Sequence, residues 1–310
     1  SGTGQESEPA VSPDGKRIAF TAGTQDFDLL EIPLDGSPAK PLLATSRTEE
    51  WACWPPAANQ YAYVTNAGGS VEIWLRSHPS GWARPVLSRS VEGVPGWSRI
   101  DNPRFSPDGQ RMSYELFGTQ HLIWISTIAG SRPVRLDSDS NDQHAASWSP
   151  DGNWVAYRRL SEGKWELAKA GLGGGRPVRL APAGEASMAG SGMTDWSPSG
   201  EWIAYRQDDG LHVISPEGKQ DRLLSKRRPT YFSFSKDGSV LHVLDRGANR
   251  KWQVIDLDVA SGAERNAVEV AIPAEAAIRG FSPHPDGKSF AAGVGLAPRY
   301  DIWILEGFAQ

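Results

Sequence analysis

One phrase recurs along this 310-residue chain. It reads Val11-Ser12-Pro13-Asp14-Gly15-Lys16-Arg17-Ile18-Ala19-Phe20, and returns from Phe105, from Trp148 and from Trp196 with Ser106, Ser149 and Ser197 in the serine position. Weaker copies run from Phe234 and from Phe281, and a worn one from Trp54 to Tyr63. With the Ser of each copy as anchor (Pro55 in the worn one), the anchors fall at 12, 55, 106, 149, 197, 235 and 282. A fixed period of roughly 40–50 residues is the mark of a repeat architecture.

Each unit has the same internal order. A short apolar or aromatic stretch ends at the anchor. Pro-Asp-Gly then turns the chain: Pro presets φ, Asp bonds the backbone ahead, and Gly accepts positive φ. A second strand follows, as in Trp154 to Arg158. A third alternating strand comes next, as in Leu29 to Leu34, His121 to Ser126 or Asp301 to Glu306, and then a fourth, as in Lys40 to Ala44 or Arg222 to Ser225. Alternation has period two, turns are dense, and the Ala-rich stretch from Ala271 to Ile278 is interrupted by Pro273. The expectation is an all-β, seven-bladed β-propeller of four-stranded antiparallel blades, with blades starting near 8, 51, 102, 145, 193, 231 and 278, in one domain spanning 1–310. The chain stops after the third strand of the last blade, so that blade is expected to lack its outer strand. Ser1 to Ser7 read as a loop, and the closing strand is expected upstream of Ser1. The large residues before the anchors (Val11, Trp54, Phe105, Trp148, Trp196, Phe234, Phe281) are expected to pack between blades, in preference to stacking a ligand.

Net charge is −5, which argues against a general nucleic-acid groove. The one basic cluster, Lys226-Arg227-Arg228, reads as a solvated loop. No apolar run is long enough for a membrane span. The single cysteine, Cys53, excludes an internal disulfide and suggests interblade packing. It leaves the compartment open, with a bacterial extracytoplasmic setting slightly preferred.

No catalytic motif is present: there is neither G-x-S-x-G nor H-E-x-x-H. His78, His121, His212, His242 and His284 read as structural, and Leu172-Gly173-Gly174-Gly175 as a hairpin turn. Asp137, Asp139 and Asn141 place oxygen ligands at spacing two, a weak calcium candidate, although the loop lacks the Gly and Glu of a full calcium loop. The stronger candidate surface is the mouth of the central channel, formed by loops entering the innermost strands. It holds Glu8, Glu50, Trp51, Asp101, Asn102, Gln143, His144, Thr194, Asp195, Tyr231 and Arg279. These differ from unit to unit, which favours an asymmetric ligand or a protein tail over a symmetric ion.

The W-S-P-D-G-x-x-I-A-Y phrase resembles the repeat of the TolB-like, WD-like propeller family over Glu8 to Phe308. The closing phrase from Asp301 to Phe308 is similar to the end of C-terminal propellers in bacterial multidomain regulators, where the upstream partner is a winged-helix domain or a Ser/Thr kinase. The resemblance implies a non-enzymatic sensory or interaction module that binds a protein, a peptide or a small polar ligand, needs no cofactor, and is fused to an upstream domain. Two alternatives stay open: a lyase or glycan-active propeller enzyme using His144, Asp195, Tyr231 and Arg279, and the gating propeller of a prolyl-oligopeptidase-like hydrolase.

Overall fold

The computed structural model describes residues 5–306 apart from 25, 58, 90–93, 95, 140–141, 185–192 and 297–298. Seven antiparallel sheets form, as the seven repeats predict, six of four strands and one of three. Most anchor turns are built alike. Ser106 Oγ donates to Asp108 Oδ1 at 2.5 Å and accepts from the Arg111 N–H at 2.9 Å, while the Gln110 N–H donates to Asp108 Oδ1 at 2.9 Å. Gly109 closes the turn at φ 68°, where a Cβ would be strained. Ser149–Asp151 and Ser235–Asp237 repeat the set.

The innermost strands of the four-stranded sheets, numbered here in ring order, are Glu49–Cys53 (sheet 1), Arg99–Phe105 (sheet 2), Gln143–Trp148 (sheet 3), Thr194–Trp196 (sheet 4), Tyr231–Phe234 (sheet 5) and Ala277–Pro283 (sheet 6). Neighbouring sheets meet through these strands. The Trp148 indole N–H donates to the Arg104 carbonyl at 3.2 Å, joining sheets 2 and 3. Tyr231 Oη donates to the Ile278 carbonyl at 3.0 Å, joining 5 and 6. Sheet 6 abuts sheet 1 directly: the Trp54 and His284 rings lie 4.7 Å apart, and the Trp54 N–H donates to Ser282 Oγ at 3.1 Å. The six four-stranded sheets therefore follow one another around the axis.

Strand partnership departs from the expectation in three ways. The last repeat is not left without outer strands. Its inner pair, Ala277–Pro283 and Ser289–Gly295, is completed by Phe27–Pro33 and Lys40–Leu43 from near the other end of the chain, in register Ala292↔Leu30. The three-stranded sheet joins Gln5–Val11 and Arg17–Thr24 to Arg299–Glu306, and it leaves Val11, Ile302 and Ile304 exposed. Gln5 to Ser7, expected as loop, pair with Thr21 to Gly23. Finally, the anchor of the last repeat is His284, not Ser282: the His284 N–H donates to the Ser289 carbonyl and the Gly287 N–H to the His284 carbonyl, each at 2.9 Å, as Ser106 and Gly109 do in sheet 2. Imidazole Nδ1 of His284, 2.8 Å from Asp286 Oδ1, takes the part of the serine hydroxyl.

The aromatics before the anchors are buried between sheets in Trp54, Phe105, Trp148, Trp196 and Phe234. Val11 is not; it is 63% exposed because its sheet contributes no innermost strand to the ring.

Candidate functional site

Counting from the corrected anchors, the residue two before each anchor faces the axis: Cys53, Arg104, Ser147, Asp195, Ser233 and Ser282. Three of them also staple adjacent sheets. Ser147 Oγ accepts from the Trp196 N–H at 2.8 Å, Asp195 Oδ2 from the Phe234 N–H at 2.8 Å, and Ser282 Oγ from the Trp54 N–H at 3.1 Å. Each bond crosses from one sheet to the next.

These residues form the wall of an axial cavity of about 450 Å³ that opens on the side of the anchor turns. This lies within the usual span of ligand pockets, roughly 300–1,000 Å³. Its deeper wall includes Trp54, Phe105, Trp148, Trp196, Phe234 and Phe290. Its rim is the residue after each anchor: Pro56, Pro107, Pro150, Pro198, Lys236 and Pro285. Five prolines make that rim stiff before anything binds. Asp195 and Arg104 supply opposite charges to the wall. Burial pushes the Asp195 carboxyl above its ordinary range, against the pull of Arg104 and of the Phe234 N–H, Ser233 and Ser147.

The channel's other mouth is the one expected from the sequence, and it is built differently. Sheets 1, 2, 3 and 6 each carry a β-bulge in the innermost strand, between Glu50 and Cys53, Asp101 and Arg104, His144 and Ser147, and Arg279 and Ser282. At its centre Trp51, Asn102, Ala145 and Gly280 adopt φ of 55°, 53°, 60° and 79°. A Cβ at Gly280 would crowd Trp51 Cα at 3.1 Å. The residue before each left-handed one, Glu50, Asp101, His144 and Arg279, is thereby brought to this mouth. Burial raises Glu50 to about 7 and Asp101 to about 6. Arg279 Nε at 3.9 Å from Glu50 and Arg99 Nη2 at 2.9 Å from Asp101 offset this only in part.

The sequence candidates thus divide. Asp195 alone of them lines the cavity. Glu50, Asp101, His144 and Arg279 sit at the opposite mouth. Trp51 and Tyr231 pack edge to face at 6.2 Å in the core, where burial lifts the Tyr231 phenol to about 12. Asn102 donates to the buried Glu115 at 3.0 Å, Gln143 is spent on the Ile123 N–H and the Asp137 carbonyl, and Thr194 is buried. Glu8 falls in the bulge of the three-stranded sheet, and its side chain lies outside the described part. Asp137 is engaged by Tyr157 Oη at 2.6 Å and Arg159 at 3.3 Å, Asp139 is exposed, and Asn141 lies outside the described residues. Arg227 pairs with Glu264 at 2.6 Å and Asp245 at 3.4 Å. Sequence reasoning missed the rim prolines and the wall serines, although the repeat itself carries them: a proline follows five of the six anchors, and a serine stands two before three of them.

Among the described residues, one group of three could hold a metal ion, His121, Asp142 and His144. Burial opposes charge on His144, but the carboxylates of Asp142 and Glu115 outweigh it and raise the imidazole to about 9.

No family model matches the chain. It is 29% identical over 120 residues to the Tol-Pal system protein TolB of Desulfosudis oleivorans, a match over 34% of this chain and 27% of that one. The chain thus spans about a quarter of that curated relative's length. Among solved structures it is similar to a candidate TolB from Agrobacterium tumefaciens, with TM-score 0.65 and 16% identity over 89% of this chain and all of that one. It is also similar to TolB from Acinetobacter baumannii, with TM-score 0.58 and 16% identity over 96% of this chain and 66% of that one. Enzymes share the fold too: an oligogalacturonate lyase in complex with manganese has TM-score 0.52 and 10% identity over 95% of this chain and 98% of that one. At these identities the likeness is one of fold. No helix of the described residues is long and apolar enough to cross a membrane.

Proposed function

Taking the chain as a TolB-like β-propeller, we propose that it is a non-enzymatic binding module that takes an extended, largely apolar peptide segment of a partner protein into the axial cavity. The observation that carries this reading is the cavity itself, with one rim residue and one wall residue drawn from each of the six four-stranded sheets. Aromatic and proline surfaces supply the apolar contact. Ser147, Ser233, Asp195 and Arg104 supply a few polar groups that fix direction. The wall residues run Cys, Arg, Ser, Asp, Ser and Ser around the ring, so the site suits an occupant without rotational symmetry. The curated relative is named as a protein of the Tol-Pal system.

The test is fluorescence polarisation against a panel of labelled peptides rich in proline and aliphatic residues. Binding is expected, and Ser233→Phe, which fills the cavity, should weaken it at least tenfold while the protein still unfolds cooperatively. Arg279→Ala, at the other mouth, should leave it unchanged. Loss of binding in Arg279→Ala with none in Ser233→Phe would move the site to the other mouth.

A further inference from the structure

We propose that His121, Asp142 and His144 form a site for a divalent transition-metal ion, zinc by chemical preference, clamped between sheets 2 and 3. His121 begins the third strand of sheet 2, His121–Thr127, and His144 lies on the innermost strand of sheet 3. His144 Nε2 is 2.9 Å from Asp142 Oδ1, His121 Nδ1 is 3.4 Å from His144 Nε2, and His121 Nδ1 is 3.5 Å from Asp142 Oδ1. Metal–ligand bonds of about 2.1 Å at tetrahedral angles require ligand atoms about 3.4 Å apart. The two separations from His121 match this, and His144 Nε2 and Asp142 Oδ1, at 2.9 Å, would part slightly to admit the ion.

The supporting residues fit the same reading. A metal-bound imidazole ordinarily gives its other ring nitrogen to a carboxylate, which fixes tautomer and orientation. His144 Nδ1 stands 3.2 Å from Glu115 Oε2. Glu115 is itself buried and held by the Asn102 amide at 3.0 Å and the Ala145 N–H at 2.8 Å, so it cannot swing away. The left-handed bulge at Ala145 is what aims both the Ala145 N–H and the His144 ring at this carboxylate. On the other side, His121 and Asp142 form a parallel backbone bridge, which fixes their separation through the main chain, and the His121 ring rests 3.7 Å from that of Phe117.

Two imidazoles and one carboxylate suit borderline ions such as zinc or cobalt and not calcium, which takes an all-oxygen shell. The site also differs in kind from the oxygen-rich stretch of Asp137 and Asp139 a few residues earlier. Three protein ligands leave a fourth position. His121 and Asp142 side chains are 37% and 34% exposed, so that position faces solvent and can hold water or a ligand oxygen.

Isothermal titration of the chelator-treated full chain with zinc chloride tests this, with cobalt(II) as a spectroscopic probe. The expected result is one equivalent of zinc bound, a raised melting temperature, and the visible absorption of tetrahedral cobalt. Outer partners of metal ligands are worth about 10–100-fold in affinity; a ligand should be worth more. His121→Ala and Asp142→Ala, both at partly exposed positions, should therefore each weaken zinc binding by more than about 100-fold while remaining folded. Failure of the wild-type chain to bind zinc stoichiometrically would overturn the proposal, and so would binding that survives in both variants.

Discussion

Glu50 and Asp101 hold protons at pH values where free carboxyls have lost them. Burial is the cause, with the Asp101 carboxylate also raising Glu50 and the Glu115 carboxylate raising Asp101. The folded pKa of Glu50, about 7, lies above its ordinary 4.5. The folded state therefore binds more protons than the unfolded one between these values. This contribution to stability is fully present below pH 4.5 and is lost as pH rises through about 7. Glu50→Gln keeps the shape and removes the titration. We expect it to stabilise the protein at pH 8 by on the order of 1–3 kcal/mol and to have little effect near pH 4.5. Denaturant melts of both proteins from pH 4.5 to 8 check this; parallel profiles would mean that Glu50 ionises normally. The sequence placed Glu50 and Asp101 at this mouth but not their burial, because the bulges that turn them rest on residues in a left-handed conformation, for which Trp51 gives no warning.

At the scale of strands and turns, the repeat was the readable part. Ser-Pro-Asp-Gly is a local device: its hydroxyl, carboxylate and glycine close one turn within six residues, so each copy reports on itself. Two things were harder to read. In the last repeat, Ser282-Pro283-His284-Pro285 offers two overlapping phrases, and His284 can stand in for serine only because its Nδ1 reaches the same aspartate position. The staple between sheets was hidden because it links residues dozens of positions apart. Its energetic weight can be measured. Ser147→Ala would leave the buried Trp196 N–H without its partner at 2.8 Å. A buried donor left unmade costs about 1–3 kcal/mol. A matching fall in unfolding free energy is expected, and Ser147→Cys, with a weaker acceptor in place, should recover part of it. A loss below a few tenths of a kcal/mol would mean that the staple is ornamental.

The whole molecule closes by an exchange that no local pattern encodes. The strand Phe27–Pro33 pairs with Ser289–Gly295 across almost the full length of the chain, so the last four-stranded sheet depends on both ends. The three-stranded sheet, by contrast, buries little: Ile302 and Ile304 are 76% and 61% exposed. Removing residues 1–24 together with 299–310 should therefore leave a cooperatively unfolding ring. Extending the first deletion through residue 44 takes away two strands of sheet 6, exposing Phe290 and Val294 and abolishing the cooperative transition. Calorimetry of the two truncations separates these outcomes.

The exchanged strands back the inner pair of sheet 6, which supplies Ser282, Pro285 and Phe290 to the wall of the axial cavity. The cavity is the centre of the account, and a crystal structure of the protein with the tightest peptide from the binding panel tests it most directly. Peptide density inside the rim of Pro56, Pro107, Pro150, Pro198, Lys236 and Pro285, against Trp148 and Trp196, is the predicted result. Density at the opposite mouth, beside Glu50, Asp101 and Arg279, with the cavity empty, would contradict it.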